Sequence, residues 1–146
     1  MAAPPIPATL TLEIVTPEHA IVHETVDEVE IPGADGYFGV LPGHTPLLAS
    51  LQVGVLWYRK GQEKFYMALA FGFAEVLPDR VTILAQVAER AEDIDVTRAQ
   101  DARERAGERL TRHAAEADFE RARIAMMKAL VRLQASSAAG RSRTRA

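Results

Sequence analysis

A group of charged side chains near residue 95 has the types and spacing that could bind a phosphate. Asp95 is placed to cap a helix, Arg98 follows it by three residues, and Glu89 lies just before them. On a later helical segment, Lys128 and Arg132 are one turn apart. Cationic groups on facing helices could hold a phosphate, and the carboxylates could line a polar pocket for a base.

A simpler interpretation treats the same residues as a capped helix whose arginines and glutamates form surface ion pairs. Such pairs contribute less than about 1 kcal/mol each and need no ligand. On residue types alone, the simpler interpretation is favoured.

Catalytic chemistry finds little support in the sequence. It contains no GxxxxGK[ST] phosphate loop, no GxSxG nucleophile elbow and no HExxH helix. His44 has no nucleophile with an orienting acid near it, so we expect it to hydrogen-bond loop backbone rather than act as a general base. The chain has no cysteine and four scattered histidines, which argues against a metal site. We predict a binding protein with no catalytic or metal-ligating residue.

The elements that must position these residues fall into two parts. Up to about residue 88, apolar residues recur with a period of two between regular turn signals, which predicts an antiparallel β-sandwich of residues 1–88. Turns are expected at residues 34–36, 60–62 and 78–79, where glycine or proline supplies the required backbone angles. From residue 65 to 74, large and small side chains alternate, so the large face should be core and the small face could admit a close neighbour.

The period then lengthens to between three and four, which predicts a helical hairpin over residues 89–135. The first helix should run from the Asp95 cap to about His113, and the second from about residue 118 to 135. In the second helix we expect one apolar stripe, formed by Phe119, Ala122, Met126, Leu130 and Leu133. Alanine fills much of the seam, so the hairpin should dock weakly, by on the order of a few kcal/mol. Residues 136–146 have no apolar periodicity and are expected to form a basic, disordered tail.

Charge is divided unevenly along the chain. Residues 1–94 hold 5 Lys and Arg against 13 Asp and Glu, whereas residues 95–146 hold 12 against 7. The second part therefore suits an acidic partner, although a solvated helix surface with a basic tail would give the same count. No secretory signal and no run of 18 apolar residues is present, so we expect neither export nor membrane insertion.

Several longer motifs now become informative together. They are PGADGYFGVLPGHTPLLASL from residue 32, AFGFAEV from residue 70, VTILA from residue 81, and IDVTRA from residue 94. With these motifs, the chain resembles the epsilon subunit of bacterial rotary F-type ATP synthase over about residues 9 to 134. The resemblance implies a sandwich of about ten strands followed by a two-helix hairpin, in a subunit without an active site.

In that family the sandwich binds the gamma subunit and the membrane c-ring, forming the foot of the rotating central stalk. The resemblance thus implies a peripheral protein on the cytoplasmic face of the bacterial plasma membrane that couples c-ring rotation to the catalytic head. The partners are gamma, the c-ring and the alpha/beta catalytic subunits, without nucleic acid. The implied interface with gamma and the c-ring comprises Gly36, Tyr37, Phe38, Gly39, Pro42, Gly43 and His44. Tyr37 departs from the acidic residue that many members carry there.

The family's hairpin switches between a contracted form on the sandwich and an extended form that inhibits ATP hydrolysis. Some members bind ATP in the contracted form, so ATP is expected as a regulatory ligand, with no cofactor required. The matching residues here are Glu89, Ile94, Asp95, Arg98, Ala99, Lys128 and Arg132. Lys128 replaces an arginine and loses the two-pronged contact, which lowers the expected affinity. An alternative function from another class is a free-standing ATP-sensing module, which would purify alone rather than with gamma.

Overall fold

A computed structural model describes residues 2–112 and 115–145. Its strands are Leu10–Val15 (β1), Ala20–Val26 (β2), Glu28–Gly33 (β3), Gly36–Val40 (β4), Leu47–Leu51 (β5), Gly54–Lys60 (β6), Glu63–Leu77 (β7) and Arg80–Arg90 (β8). A short 3-10 helix at Ala91–Asp93 leads into two α-helices, Val96–Thr111 (α1) and Glu116–Thr144 (α2). The predicted β-sandwich followed by a helical hairpin is confirmed.

The strands form one hydrogen-bonded network that folds over its own core. Its order is β2-β1-β8-β7-β5-β3-β4, and β6 pairs with β3 and β7. Within the described residues there are eight strands, fewer than the ten expected, and one pair is parallel: β1 runs beside β8, with Leu12 opposite Val81. The expectation of a purely antiparallel sheet is wrong at this pair, because β1 and β8 are far apart in sequence and no turn signal records their pairing.

Alternating positions from all eight strands form the core of the sandwich. Tyr58 is its largest fully buried side chain and stacks on Phe65 with ring centroids 5.0 Å apart. Burial is the main reason why the pKa of the Tyr58 phenol is raised, with Glu24 adding to the effect and Arg90 opposing it. The predicted turns form where expected, at residues 34–35, 61–62 and 78–79.

The side chains of strand β7 exchange faces midway along the strand. The sequence alternation had predicted that the same positions would face the core along its whole length. Met67 and Leu69 point into the core as expected, but Phe73 is 56% exposed and Ala74 is fully buried. The change occurs at Phe71 and Gly72, whose φ angles are 58° and 131°. A side chain on Gly72 would collide with the backbone of β8, so glycine is required there. The prediction that Phe71 and Phe73 share the core face is therefore wrong.

The hairpin lies docked on the outer face of β6 and β7. The small face of β7 admits the helix, as predicted: Ala68 and Ala70 belong to one apolar cluster with Val131 and Ala135 of α2. On its other side, α2 packs on α1 through fully buried alanines such as Ala122. The helix therefore has two buried sides, one toward α1 and one toward the sandwich.

The single stripe predicted for α2 is consequently wrong at two of its members. Phe119 and Leu130 are 44% and 36% exposed, because the helix divides its buried residues between two neighbours. The predicted end of the first helix, His113, lies outside the described residues, and α1 is described as far as Thr111.

The expected disordered tail is also wrong, because α2 continues as a helix to Thr144. Ala135 is fully buried and Ala139 packs against the apolar cluster under the hairpin. Apolar periodicity was missing from this segment because its contacts are made by alanine, which is too small to stand out from the sequence.

Candidate functional site

Five of the seven predicted ATP-site residues line one cleft of about 410 Å³ where the sandwich meets both helices. They are Glu89, Asp95, Arg98, Ala99 and Arg132. Glu89 comes from the end of β8, the next three from the start of α1, and Arg132 from α2. The constellation that is scattered over more than forty residues of sequence is thus assembled by the docking of the hairpin.

Asp95 acts first as a helix cap. Its backbone is extended, and its Oδ1 accepts a hydrogen bond of 3.0 Å from the backbone N–H of Arg98. This bond satisfies one of the amides that a helix N-terminus leaves unpaired. It fixes the point where α1 starts, and therefore the position from which Arg98 extends into the cleft.

Glu89 and Arg132 form the ion pair that joins the sandwich to α2. Both Nε and Nη2 of Arg132 donate to Oε1 of Glu89, at 3.0 and 2.8 Å. The two side chains are only 28% and 33% exposed, so solvent screens this pair less than an ordinary surface pair. A phosphate bound by Arg132 would have to share its guanidinium with Glu89 or displace the carboxylate.

Two predicted residues do not face the cleft. Ile94 is 8% exposed and belongs to the apolar cluster between the sandwich and α2, so it anchors the chain that enters α1. Lys128 lies beside Glu89 and Arg132 but lines a neighbouring void of only about 10 Å³. The structure therefore groups Lys128 with the docking interface of α2.

Arg105, Asp93 and Ala102 complete the lining of the cleft and were missed in the sequence. Arg105 follows Arg98 by seven residues, which is two helical turns, so the two share a face of α1. That spacing was a usable signal. The cleft is lined by three arginines and three carboxylates, so its formal charges balance. Glu89 is already paired with Arg132, and the carboxylate that caps the helix already accepts a hydrogen bond from the backbone.

The predicted stalk interface forms strand β4 and the loop after it. Tyr37 is half exposed, and its hydroxyl accepts a 3.0 Å hydrogen bond from the backbone N–H of Val55. Gly36, Gly39 and Gly43 are exposed, whereas Phe38 packs partly against the core. Pro42 and His44 are partly exposed in the loop after β4.

His44 contacts loop backbone, as predicted from its lack of catalytic neighbours. Its Nδ1 lies 2.6 Å from the carbonyl oxygen of Thr45. Among residues 2–112 and 115–145, no group of three His, Cys, Asp or Glu side chains is arranged to hold a metal ion.

An exposed apolar patch on the sandwich was not anticipated. Phe73 pairs across strands with Leu84, and the two are 56% and 55% exposed. Leu48, on the neighbouring strand β5, is 72% exposed. Several large apolar side chains exposed on adjacent strands are typical of a protein-binding surface. The phase change in β7 is what turns Phe73 outward.

Comparison with known proteins accounts for both parts of the chain. Residues 9–91 match the model of the ATP synthase delta/epsilon chain β-sandwich domain, and residues 92–137 match that of the delta/epsilon long α-helix domain. The chain belongs to the ATP synthase delta/epsilon chain family. The resemblance inferred from its sequence motifs is confirmed.

Curated relatives of this family are similar over most of the chain. An ATP synthase epsilon chain of Syntrophobacter fumaroxidans is 52% identical over 125 residues, covering 86% of this chain and 93% of the relative. One from Koribacter versatilis is 54% identical over 102 residues, covering 70% and 72%. As an epsilon-type member of the delta/epsilon family, the chain is a non-catalytic subunit of the ATP synthase central stalk.

A solved structure agrees with this family membership. It is a chain of the Euglena gracilis mitochondrial ATP synthase OSCP/F1/c-ring complex, with a TM-score of 0.80 and 27% identity, covering 92% of this chain and 85% of that one. In the part of this chain that the structure describes, no helix is long and apolar enough to cross a bilayer.

Proposed function

We propose that this epsilon-type chain couples rotation of a c-ring to the catalytic head and carries an ATP-controlled brake on hydrolysis. The sandwich would bind gamma and the c-ring at the cytoplasmic face of a bacterial plasma membrane. The hairpin would either lie on the sandwich or extend toward the alpha/beta subunits. The observation that carries the ATP-controlled part is the cleft, whose walls come from the sandwich and from both helices.

Two surfaces of the sandwich support the stalk role. Strand β4 and the loop after it carry Tyr37 and His44, and the apolar patch carries Leu48, Phe73 and Leu84. Burying exposed leucine and phenylalanine is favourable against any protein partner, and we propose gamma as the partner of the apolar patch. The loop, rich in glycine and proline, is assigned to the c-ring.

Binding assays can separate the patch from other exposed apolar residues. Phe73→Ser and Leu84→Ser should each weaken capture of the isolated gamma subunit at least about ten-fold, since each removes an apolar side chain expected in the interface. Leu130→Ser is the control, because Leu130 is also partly exposed but lies on α2. Equal capture by all three variants would contradict the assignment to gamma.

The proposed brake requires a hairpin that can detach from its docked position on the sandwich. The two helices pack on each other through alanine, so separating them exposes little apolar area, although the contact of α2 with the sandwich also includes Val131 and Met127. The excess of basic residues after residue 94 would suit an acidic segment of the alpha/beta ring when the hairpin extends. Both features support a hairpin that changes partners.

ATP would bind only the docked hairpin, because undocking separates the cleft's walls. Arg98 and Arg132 lie on different helices, and Glu89 lies on the sandwich. A ligand that touches all three binds the assembled state alone and shifts the population toward it. At an ATP concentration of about 100 times Kd, the docked state would gain about 2.7 kcal/mol. High ATP would therefore hold the brake off.

Isothermal titration of the whole protein tests ATP binding directly. Heat is expected on addition of ATP at up to millimolar concentration, and Arg98→Ala should weaken binding by at least about ten-fold through loss of a charged contact. Arg103→Ala is the matched control, since Arg103 is exposed on the same helix outside the cleft. Absence of ATP-dependent heat with the unaltered protein would reject the nucleotide site.

A further inference from the structure

The end of helix α2 lies beyond the part of the chain that matches the family's helix domain. The match ends at residue 137, whereas α2 continues to Thr144. We call residues 138–144 the terminal turns. They include Ala139, which packs against the apolar cluster beneath the hairpin.

The sandwich-facing side of α2 extends without interruption into the terminal turns. Val131 and Ala135 are buried in the cluster beneath the hairpin, and Ala139 packs against the same cluster. These residues are four positions apart, and Ser142 follows after three more, so all four lie on one face. The terminal turns thus continue an existing contact rather than form a separate one.

Opposite the terminal turns lies the hairpin turn between β6 and β7. Ser142 and Arg143 line a groove of about 610 Å³ together with Glu63, Lys64 and Glu92 on the sandwich side. Two carboxylates therefore share the groove with the guanidinium of Arg143, and Lys64 partly offsets them. A cation at a helix C-terminus is also stabilised by the helix dipole, which favours an ordered last turn.

We propose that the terminal turns act as a latch that raises the population of the docked hairpin. A hairpin that switches as proposed must have open and closed states close in free energy, so one further contact at the end of α2 changes their ratio appreciably. The latch rests on the proposed movement of the hairpin, but it needs no nucleotide. It sets how much ATP, or how strong a competing partner, is needed to change the hairpin's state.

Amide hydrogen exchange of the intact protein without nucleotide tests the latch. In the unaltered chain, amides of residues 124–135 should exchange faster than those of β1 and β8, because the hairpin opens without unfolding the sandwich. A chain ending at Ser137 should exchange its α2 amides about ten-fold faster still, equivalent to about 1.4 kcal/mol. Sandwich amides should keep their rates.

Point variants distinguish the loss of specific contacts in the terminal turns from a general effect of shortening the chain. Ala139→Asp places a charge in the apolar contact and should reproduce the faster exchange. Ser137→Asp introduces the same charge at an exposed position two residues away and should not. Likewise Arg143→Glu, which reverses the charge in the groove, should accelerate exchange more than Arg141→Glu, whose arginine is exposed and bonded to Ser137.

The outcomes distinguish the latch from the movement on which it depends. If α2 and the sandwich of the unaltered chain exchange at one common rate, the hairpin does not open separately and the proposed switch fails. If α2 opens separately but truncation and Ala139→Asp leave its rate unchanged, the switch stands and the latch is overturned.

Discussion

Breaking the ion pair between Glu89 and Arg132 should loosen the hairpin by a measurable and non-additive amount. The pair joins β8 to α2 through two hydrogen bonds of 2.8 and 3.0 Å to one carboxylate oxygen. Both side chains are about two-thirds buried, so their interaction exceeds that of a fully exposed pair, but water still screens it. We expect a coupling of about 1 kcal/mol, or about a five-fold change in the docking equilibrium.

A double-mutant cycle isolates this coupling. Glu89→Gln and Arg132→Gln should each weaken docking by about 1 kcal/mol, and the double variant should weaken it by little more than either alone. The chain has no cysteine, so unique thiols placed at exposed Asp35 and Glu104 can carry a donor and an acceptor dye. Energy transfer between them, followed during urea titration, reports movement of the hairpin away from the sandwich.

Salt provides an independent check on the same cycle. Raising ionic strength from about 0.1 to 1 M shortens the screening length from about 10 to 3 Å, so the coupling should fall. If the two single effects simply add, or if the coupling is insensitive to salt, the pair does not hold the hairpin and the electrostatic reasoning is refuted.

Three further predictions address other parts of the molecule. Gly72→Ala should lower the unfolding free energy, measured by denaturant titration, by at least about 2 kcal/mol, because the new Cβ would strike the backbone of Leu84. Gly39→Ala is the control and should change the unfolding free energy by under about 0.5 kcal/mol, because the space around Gly39 is open. Deleting residues 90–146 should raise ATP hydrolysis by the reconstituted synthase while synthesis persists; unchanged hydrolysis would argue against a brake. The raised pKa of Tyr58 means that the folded state retains a proton longer, so stability should fall as pH rises above 10.0, and Tyr58→Phe should reduce that fall.

Local signals in the sequence predicted the elements well. Glycine and proline located the turns, and the Asp95 cap located the start of α1, because each acts on the backbone within a few residues. Contacts between segments that are distant in the sequence were harder to predict from local signals. The parallel pairing of β1 with β8 and the ion pair between Glu89 and Arg132 depend on how the whole chain closes, which short-range periodicity does not record.

The candidate site shows the same division. Asp95, Arg98 and Ala99 lie on one helical turn, so the short sequence motif was enough to predict that they share a site. Arg105 could have been included in the predicted site because of its spacing from Arg98 along α1. Lys128 was placed in the site by its helical spacing from Arg132 and by the family resemblance, but the rotation of α2 directs it to a neighbouring void. That rotation is set by packing of small residues on two sides, which a single apolar stripe could not represent.

The alanines buried between the two helices have a consequence for the extended form that we propose. A helix seam made of leucine or phenylalanine would expose large apolar surfaces if the helices parted, and these would attract other chains in a crowded cell. Alanine methyl groups expose far less apolar surface to water. The face of α2 that contacts the sandwich is different, because Val131 and Met127 lie there. A hairpin that extends as proposed therefore needs its new partner to cover this face and not the seam.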